Sequence, residues 1–141
     1  MFGIKIKRIS SLNSFSFKHT YLFDRSCIDI KKSEDLHKLF GIAYGFNNYM
    51  QICWEYCKEM DRIYLRAKIY QKHNKNKYIL MLPGCEFNEA HECKIEISRR
   101  PTAHENLNSK YLYADTIRIL IDDKIISEQE FYTNHKHILI Y

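Results

Sequence analysis

Residues 50–70, "MQICWEYCKEMDRIYLRAKIY", alternate in character twice in succession, and no other feature constrains the fold as strongly. Met50, Ile52, Trp54 and Tyr56 take every second position; Ile63, Leu65, Ala67 and Ile69 then do the same. A period of two sends each set to one face of a strand. The "KEMD" between them is short enough to be a turn, so the two strands are expected to lie antiparallel, apolar faces together.

The rest of the chain extends that pattern. "YILMLP" adds a third strand after the polar turn "KHNKNK", ended by Pro83-Gly84. "FGIKIKRI" alternates Ile with Lys, as an edge strand does. "FSFKHTYLF", "ECKIEISRR", "TIRILID" and "HILIY" supply further strands, with Asp122-Asp123 as a turn. Two segments read as short helices. Ser33 followed by Glu34 and Asp35 resembles an N-cap with an acidic first turn, giving a helix to Phe40 that stops at Gly41. Ser127–Tyr132 is the second. The expected fold is a single domain over 1–141, mainly β: an antiparallel β-sandwich or partly closed barrel with one or two short helices. With 45% hydrophobic residues among 141, the chain can bury a core of that kind.

Several chemistries find no support. Five cysteines, an odd number without regular spacing, do not make a disulfide framework. Cys53 and Cys57 lie on one strand about 13 Å apart, at ~3.3 Å per residue, too far to share a metal ion. His135 and His137 share a strand face but supply only two ligands, where zinc takes four. Glu86, Glu89 and Glu92 fall in one acidic loop. Four glycines do not build a phosphate loop, and no G-x-S-x-G elbow occurs. No metal or cofactor is expected. A small hydrolase using Cys and His is a remote alternative.

One polar face stands out. In "RIYLRAKIYQK", period two puts Arg62, Tyr64, Arg66, Lys68 and Tyr70 on the face opposite the isoleucines. Tyrosines stack on bases and Arg and Lys meet phosphates, so this is a candidate site for an anionic ligand, a nucleotide or short nucleic acid. Tyr64, Arg66, Lys68 and Tyr70 are its centre, Asn47 and Asn48 its loop edge, and Arg99 and Arg100 neighbouring charge. The formal charge of +5 permits such a partner. The competing interpretation is a solvated strand face that serves solubility and cross-strand pairing. A further alternative is a protein-interaction or structural module in which exposed tyrosines and an edge strand form the contact of a homo-oligomer.

"YLFDRSC", then "KLFGIAYG", then a Trp-bearing strand, resembles a group of small uncharacterised phage and bacterial proteins. Lys38, Leu39, Phe40, Gly41 and Trp54 fit that pattern, over about Tyr21 to Tyr70. The pattern's histidine pair is absent: Gly45, Phe46 and Asn47 occupy its region, and Tyr49 and Gln51 replace a Ser and an Arg. The resemblance implies a fold more than an activity. Taken with the small size and the missing catalytic motifs, it suggests a non-enzymatic binding protein that, in a phage setting, sequesters a host signalling nucleotide or blocks a defence component. No apolar run approaches the ~20 residues that span a bilayer, so a cytoplasmic location, in a host cell on the phage reading, is the expectation.

Overall fold

The computed structural model describes residues 5–8, 14–29, 36–44, 48–72, 76–102 and 110–141. These form ten strands and one 3-10 turn: β1 (Lys5–Arg8), β2 (Ser14–Tyr21), the 3-10 turn Arg25–Asp29, β3 (His37–Tyr44), β4 (Asn48–Cys57), β5 (Arg62–Gln71), β6 (Asn76–Cys85), β7 (His91–Pro101), β8 (Tyr113–Ile121), β9 (Lys124–Thr133) and β10 (His137–Ile140). They make two antiparallel sheets, β1-β10-β3-β4-β5-β6 and β2-β7-β8-β9, packed as a sandwich and not closed into a barrel. No helix among the described residues is long and apolar enough to cross a membrane.

The alternation of β4 and β5 is realised residue by residue. Met50 faces Ile69, Ile52 faces Ala67, and Trp54 faces Leu65 across the hairpin. Ile63, Leu65, Ala67 and Ile69 are fully buried, as are Ile95 and Ile97 of β7 and Ile117 and Ile119 of β8. Trp54 packs on the core side against Phe23 and His37, with ring centroids 5.1 and 4.5 Å apart. Phe40 of β3 meets Phe17 and His19 of β2 across the sandwich.

Both helix expectations fail where the structure describes them. Residues 33–35 lie outside the described residues, but His37–Phe40 begins β3, so no helix runs to Phe40. Phe40, Ile42 and Tyr44 alternate into the core, and that burial outweighs a local capping signal. Gly41 is therefore mid-strand, not a helix stop. A Cβ there would come within 2.7 Å of the Met50 carbonyl oxygen, so glycine is required by close approach. Ser127–Tyr132 is part of β9. Its acids are cross-strand partners: Glu128 pairs with Arg118 and Glu130 with Arg100. β6 runs past Pro83-Gly84 to Cys85, because it is an edge strand with a register shift opposite Tyr64/Arg66.

A buried polar group joins the sheets. Arg99 donates to Asp115 through Nε at 2.7 Å and Nη2 at 2.8 Å, and the Tyr44 hydroxyl donates to the same carboxylate at 2.7 Å. Both charged side chains are 0% exposed. The guanidinium also stacks on Tyr113, 4.3 Å from its ring centroid. Burial pushes the Tyr44 phenol well above its ordinary range, and the Asp115 charge adds to this. Two amides reinforce the junction: Asn48 donates to the Tyr132 carbonyl and Gln71 to the Glu130 carbonyl, each at 3.2 Å. These carbonyls lie two residues apart on β9, an edge strand, so amide side chains of the other sheet cover part of that edge.

Asp115→Ala leaves the Arg99 guanidinium buried without its counter-charge, and the expected loss is ~3–5 kcal/mol of stability by urea denaturation. Tyr44→Phe keeps the ion pair and loses one hydrogen bond, with an expected loss of ~1–3 kcal/mol. Equal, small effects of the two substitutions contradict this account of the junction.

His91 ties the β6–β7 loop to the β8–β9 turn. Its Nδ1 lies 2.5 Å from Asp122 and its Nε2 contacts Glu89. Burial pulls the imidazole pKa down, but the two carboxylates outweigh it and the net shift is upward. Asp122 is held below its usual range by the Glu92 N–H and by His91. A raised histidine stabilises fully below its unfolded pKa, about 6.5, and loses that contribution as pH rises through the folded value. The lowered Asp122 works the other way, losing its contribution only in acid. His91 is therefore expected to lower the melting temperature as pH climbs from about 6.5 through its raised folded pKa, and His91→Gln to remove that portion of the slope.

Candidate functional site on the outer sheet face

The two outer faces of the sandwich differ in how they handle charge. On the β2-β7-β8-β9 face, the cations have acids within reach: Lys18–Glu92 at 3.5 Å, Lys94–Asp123 at 3.8 Å, Arg100–Glu130 at 2.8 Å and Arg118–Glu128 at 2.7 Å. On the six-stranded sheet, Arg66 takes Glu55 at 2.9 Å and Arg62 takes Glu86 at 3.4 Å. Lys38, Lys68 and Lys77 have no carboxylate partner among the described residues.

Strand register brings these lysines together with aromatic rings. Tyr49 of β4 sits opposite Tyr70 of β5, which sits opposite Lys77 of β6. In the next row Gln51, Lys68 and Ile79 are neighbours, with Gly41 of β3 beside Gln51. The Tyr49 and Tyr70 rings are 5.7 Å apart and inclined by 32°, and Lys77 lies 6.0 Å from the Tyr70 centroid. Tyr49, Lys68, Ile69, Lys77 and Ile79 line a depression of about 190 Å³. At the far end of the row, the Lys38 ammonium stands 3.7 Å over the Tyr141 ring, whose hydroxyl accepts from Gln51 at 2.8 Å. Gly41 permits this: Gln51 lies across it, with its Cγ 3.2 Å from where a Cβ would be.

The residues nominated from sequence divide. Tyr64, Arg66, Lys68 and Tyr70 do share the outer face, opposite the buried isoleucines. Arg66 is committed, however: besides Glu55 it donates to the Leu65 carbonyl at 2.8 Å and lies 5.2 Å from the Tyr64 centroid. Asn48 is buried and spent on structure, donating to the Tyr132 carbonyl and accepting the Lys72 N–H at 2.9 Å. Asn47 lies outside the described residues. Arg99 is in the core with Asp115, because β7 alternates and sends it inward while Arg100 points outward. Arg100 reaches the surface of the other sheet, paired with Glu130. Neither arginine joins Lys68 and Tyr70.

Tyr49, Lys77, Lys38 and Tyr141 were missed. Tyr49 was legible from the alternation of β4, which assigns it to the Gln51 side. Lys77 falls in "KHNKNK", which reads as a turn, whereas β6 begins at Asn76, and Tyr141 needed the strand order, which no local pattern encodes.

The thiols offer no activated nucleophile in the core. Burial pushes Cys85 up to about 11 and Cys93 to about 12, and Cys53 is also raised. Those sulfurs stay protonated at neutral pH. No group of three or more His, Cys, Asp or Glu able to hold a metal occurs among the described residues. His135 and His137 diverge: His137 is exposed on β10, and His135 lines a separate recess beside Thr133.

No protein-family model, curated protein or solved structure matches the chain.

Proposed function

We propose that the protein is a non-enzymatic binder of an anionic ligand, a nucleotide or short single-stranded nucleic acid, held on the outer face of the six-stranded sheet. The observation that carries this is the contrast between the faces: on one, cations paired with acids, and on the other, Lys38, Lys68 and Lys77 with no acid partner among the described residues, Lys68 and Lys77 beside the Tyr49–Tyr70 pair. A base stacking on Tyr49 and Tyr70 gains from a π-face without needing sequence readout. Lys68 and Lys77 flank that platform where phosphates would lie. In the phage setting suggested by the resemblance, a binder without catalytic groups would act by sequestering its nucleotide.

Stacking is worth ~1–3 kcal/mol per base. Tyr70→Ala is therefore expected to weaken binding of a fluorescent single strand or nucleotide by roughly ten- to a hundredfold. Lys68→Ala with Lys77→Ala should lower the salt dependence of binding to an oligonucleotide by a slope of about 1–2. Arg100→Ala, on the paired face, should change neither. If the Lys68/Lys77 variant binds a nucleotide and oligonucleotide panel as wild type does, the face is wrongly assigned.

A second reading rests on β6. This strand is one edge of the six-stranded sheet, and it exposes Ile79 by 53% and Met81 by 70%. Exposed apolar groups on an unpaired edge suit β-pairing with another chain. On this reading the protein is an interaction module, and light scattering should report a homo-oligomer that Met81→Lys dissociates. A monomer at all concentrations removes it.

A further inference from the structure

The three lysines without acid partners among the described residues fall on one diagonal of the six-stranded sheet. Lys77 of β6 shares a row with Tyr70 and Tyr49. Lys68 of β5 stands one row along, between Gln51 and Ile79. Lys38 of β3 is one row further, in line with Cys53 and Arg66. Residues paired across neighbouring strands point to the same side of a sheet, and the buried Ile42, Ile52 and Ile69 take the other side. All three lysines therefore project from the outer face.

Side-chain contacts agree with the register. The Lys77 ammonium stands 6.0 Å from the Tyr70 centroid at one end, and the Lys38 ammonium 3.7 Å over the Tyr141 ring at the other. Burial raises the Cys53 thiol, while Lys68 and Lys38, on the strands to either side, pull it back. Among the described residues, Glu55 is the one acid at the outer positions of β3–β6, and Arg66 holds it at 2.9 Å.

The length of this line bears on the ligand. At ~4.8 Å between strands and ~6.7 Å between rows, the backbones at Lys77 and Lys38 are roughly 20 Å apart. Phosphates of a stacked strand follow one another at ~3.4 Å, so the line matches about six nucleotides, or fewer when the strand is extended. A mononucleotide gathers its charge in one place and meets one end of the line. The tyrosine pair lies at the Lys77 end, beside the depression of about 190 Å³, which sets where a base stacks and leaves the rest of the diagonal to phosphates.

Taking the sheet face as the ligand site, we infer that its ligand is a single-stranded oligonucleotide of about four to six residues rather than a mononucleotide, stacked on Tyr49 and Tyr70 and laid along Lys77, Lys68 and Lys38.

Competition against a labelled thymidine octamer tests this on the wild-type chain. The competitors are thymidine monophosphate and oligothymidylates of increasing length at one fixed salt, and a parallel series of oligouridylates shows whether DNA or RNA binds tighter. Affinity is expected to rise with length to about six nucleotides and then level, the hexamer binding at least about tenfold tighter than the dimer. Lys38→Ala should lower the hexamer's salt slope by about 0.7, one phosphate contact, and leave the dimer, held at the tyrosine end, unchanged. A linear polyphosphate of the hexamer's charge should bind more weakly, having no base to stack. Thymidine monophosphate binding as tightly as the hexamer overturns the inference and leaves the face as a nucleotide site. Polyphosphate matching the hexamer, or a Lys38→Ala variant that binds the hexamer as wild type does, overturns it as well. If nothing in either series binds, the assignment of the ligand to this face fails with it.

Discussion

The buried Arg99–Asp115 pair with Tyr44 is the constraint around which the two sheets are set. Most of the core is isoleucine, and isoleucine faces tolerate more than one relative placement of two sheets. A charge pair with no solvent contact does not, because a small displacement would strand a guanidinium or a carboxylate in a low dielectric. Tyr44 from β3 reaches the carboxylate on β8, so the same group also couples the sheets. Asn48 and Gln71 extend this junction along the edge of β9. Specific polar contacts at the seam thus fix what the apolar layer leaves adjustable.

With the sheets placed, their outer faces are free to differ. The β2-β7-β8-β9 face spends its cations on cross-strand acids and so presents little net field. Among the described residues, the six-stranded face keeps Lys38, Lys68 and Lys77 without acids and lays tyrosines between them. Gly41 contributes without a side chain, because its missing Cβ lets Gln51 cross β3 to Tyr141. The site proposed on this face depends on the fold through register. Tyr49, Tyr70 and Lys77 lie on three successive strands and become neighbours through the register of β4-β5-β6.

Much of the fold was legible because the period of two is strict. The strands of the β4–β5 hairpin, the Asp122-Asp123 turn and the outward set Tyr64, Arg66, Lys68 and Tyr70 all follow from alternation. The helices expected at Ser33–Phe40 and Ser127–Tyr132 were misleading for one reason. A helix signal read within one segment, such as Ser33 followed by acids, is local, while Phe40 and Phe131 obtain their burial from distant strands. Arg99 and Arg100 show the same limit. They are adjacent in sequence and chemically alike, yet one is sealed in the core and the other lies on the surface.

By itself, the sequence determined that this chain forms antiparallel sheets with a basic-aromatic strand face, since strand alternation is a property of each segment. Only the tertiary structure decided which charges remain available. Availability depends on whether an acid arrives from a neighbouring strand. Glu55 arrives for Arg66, Asp115 for Arg99 and Glu130 for Arg100, and for Lys68 and Lys77 none does among the described residues. That difference is set by register and sheet order, which arise from packing between segments that no single segment encodes.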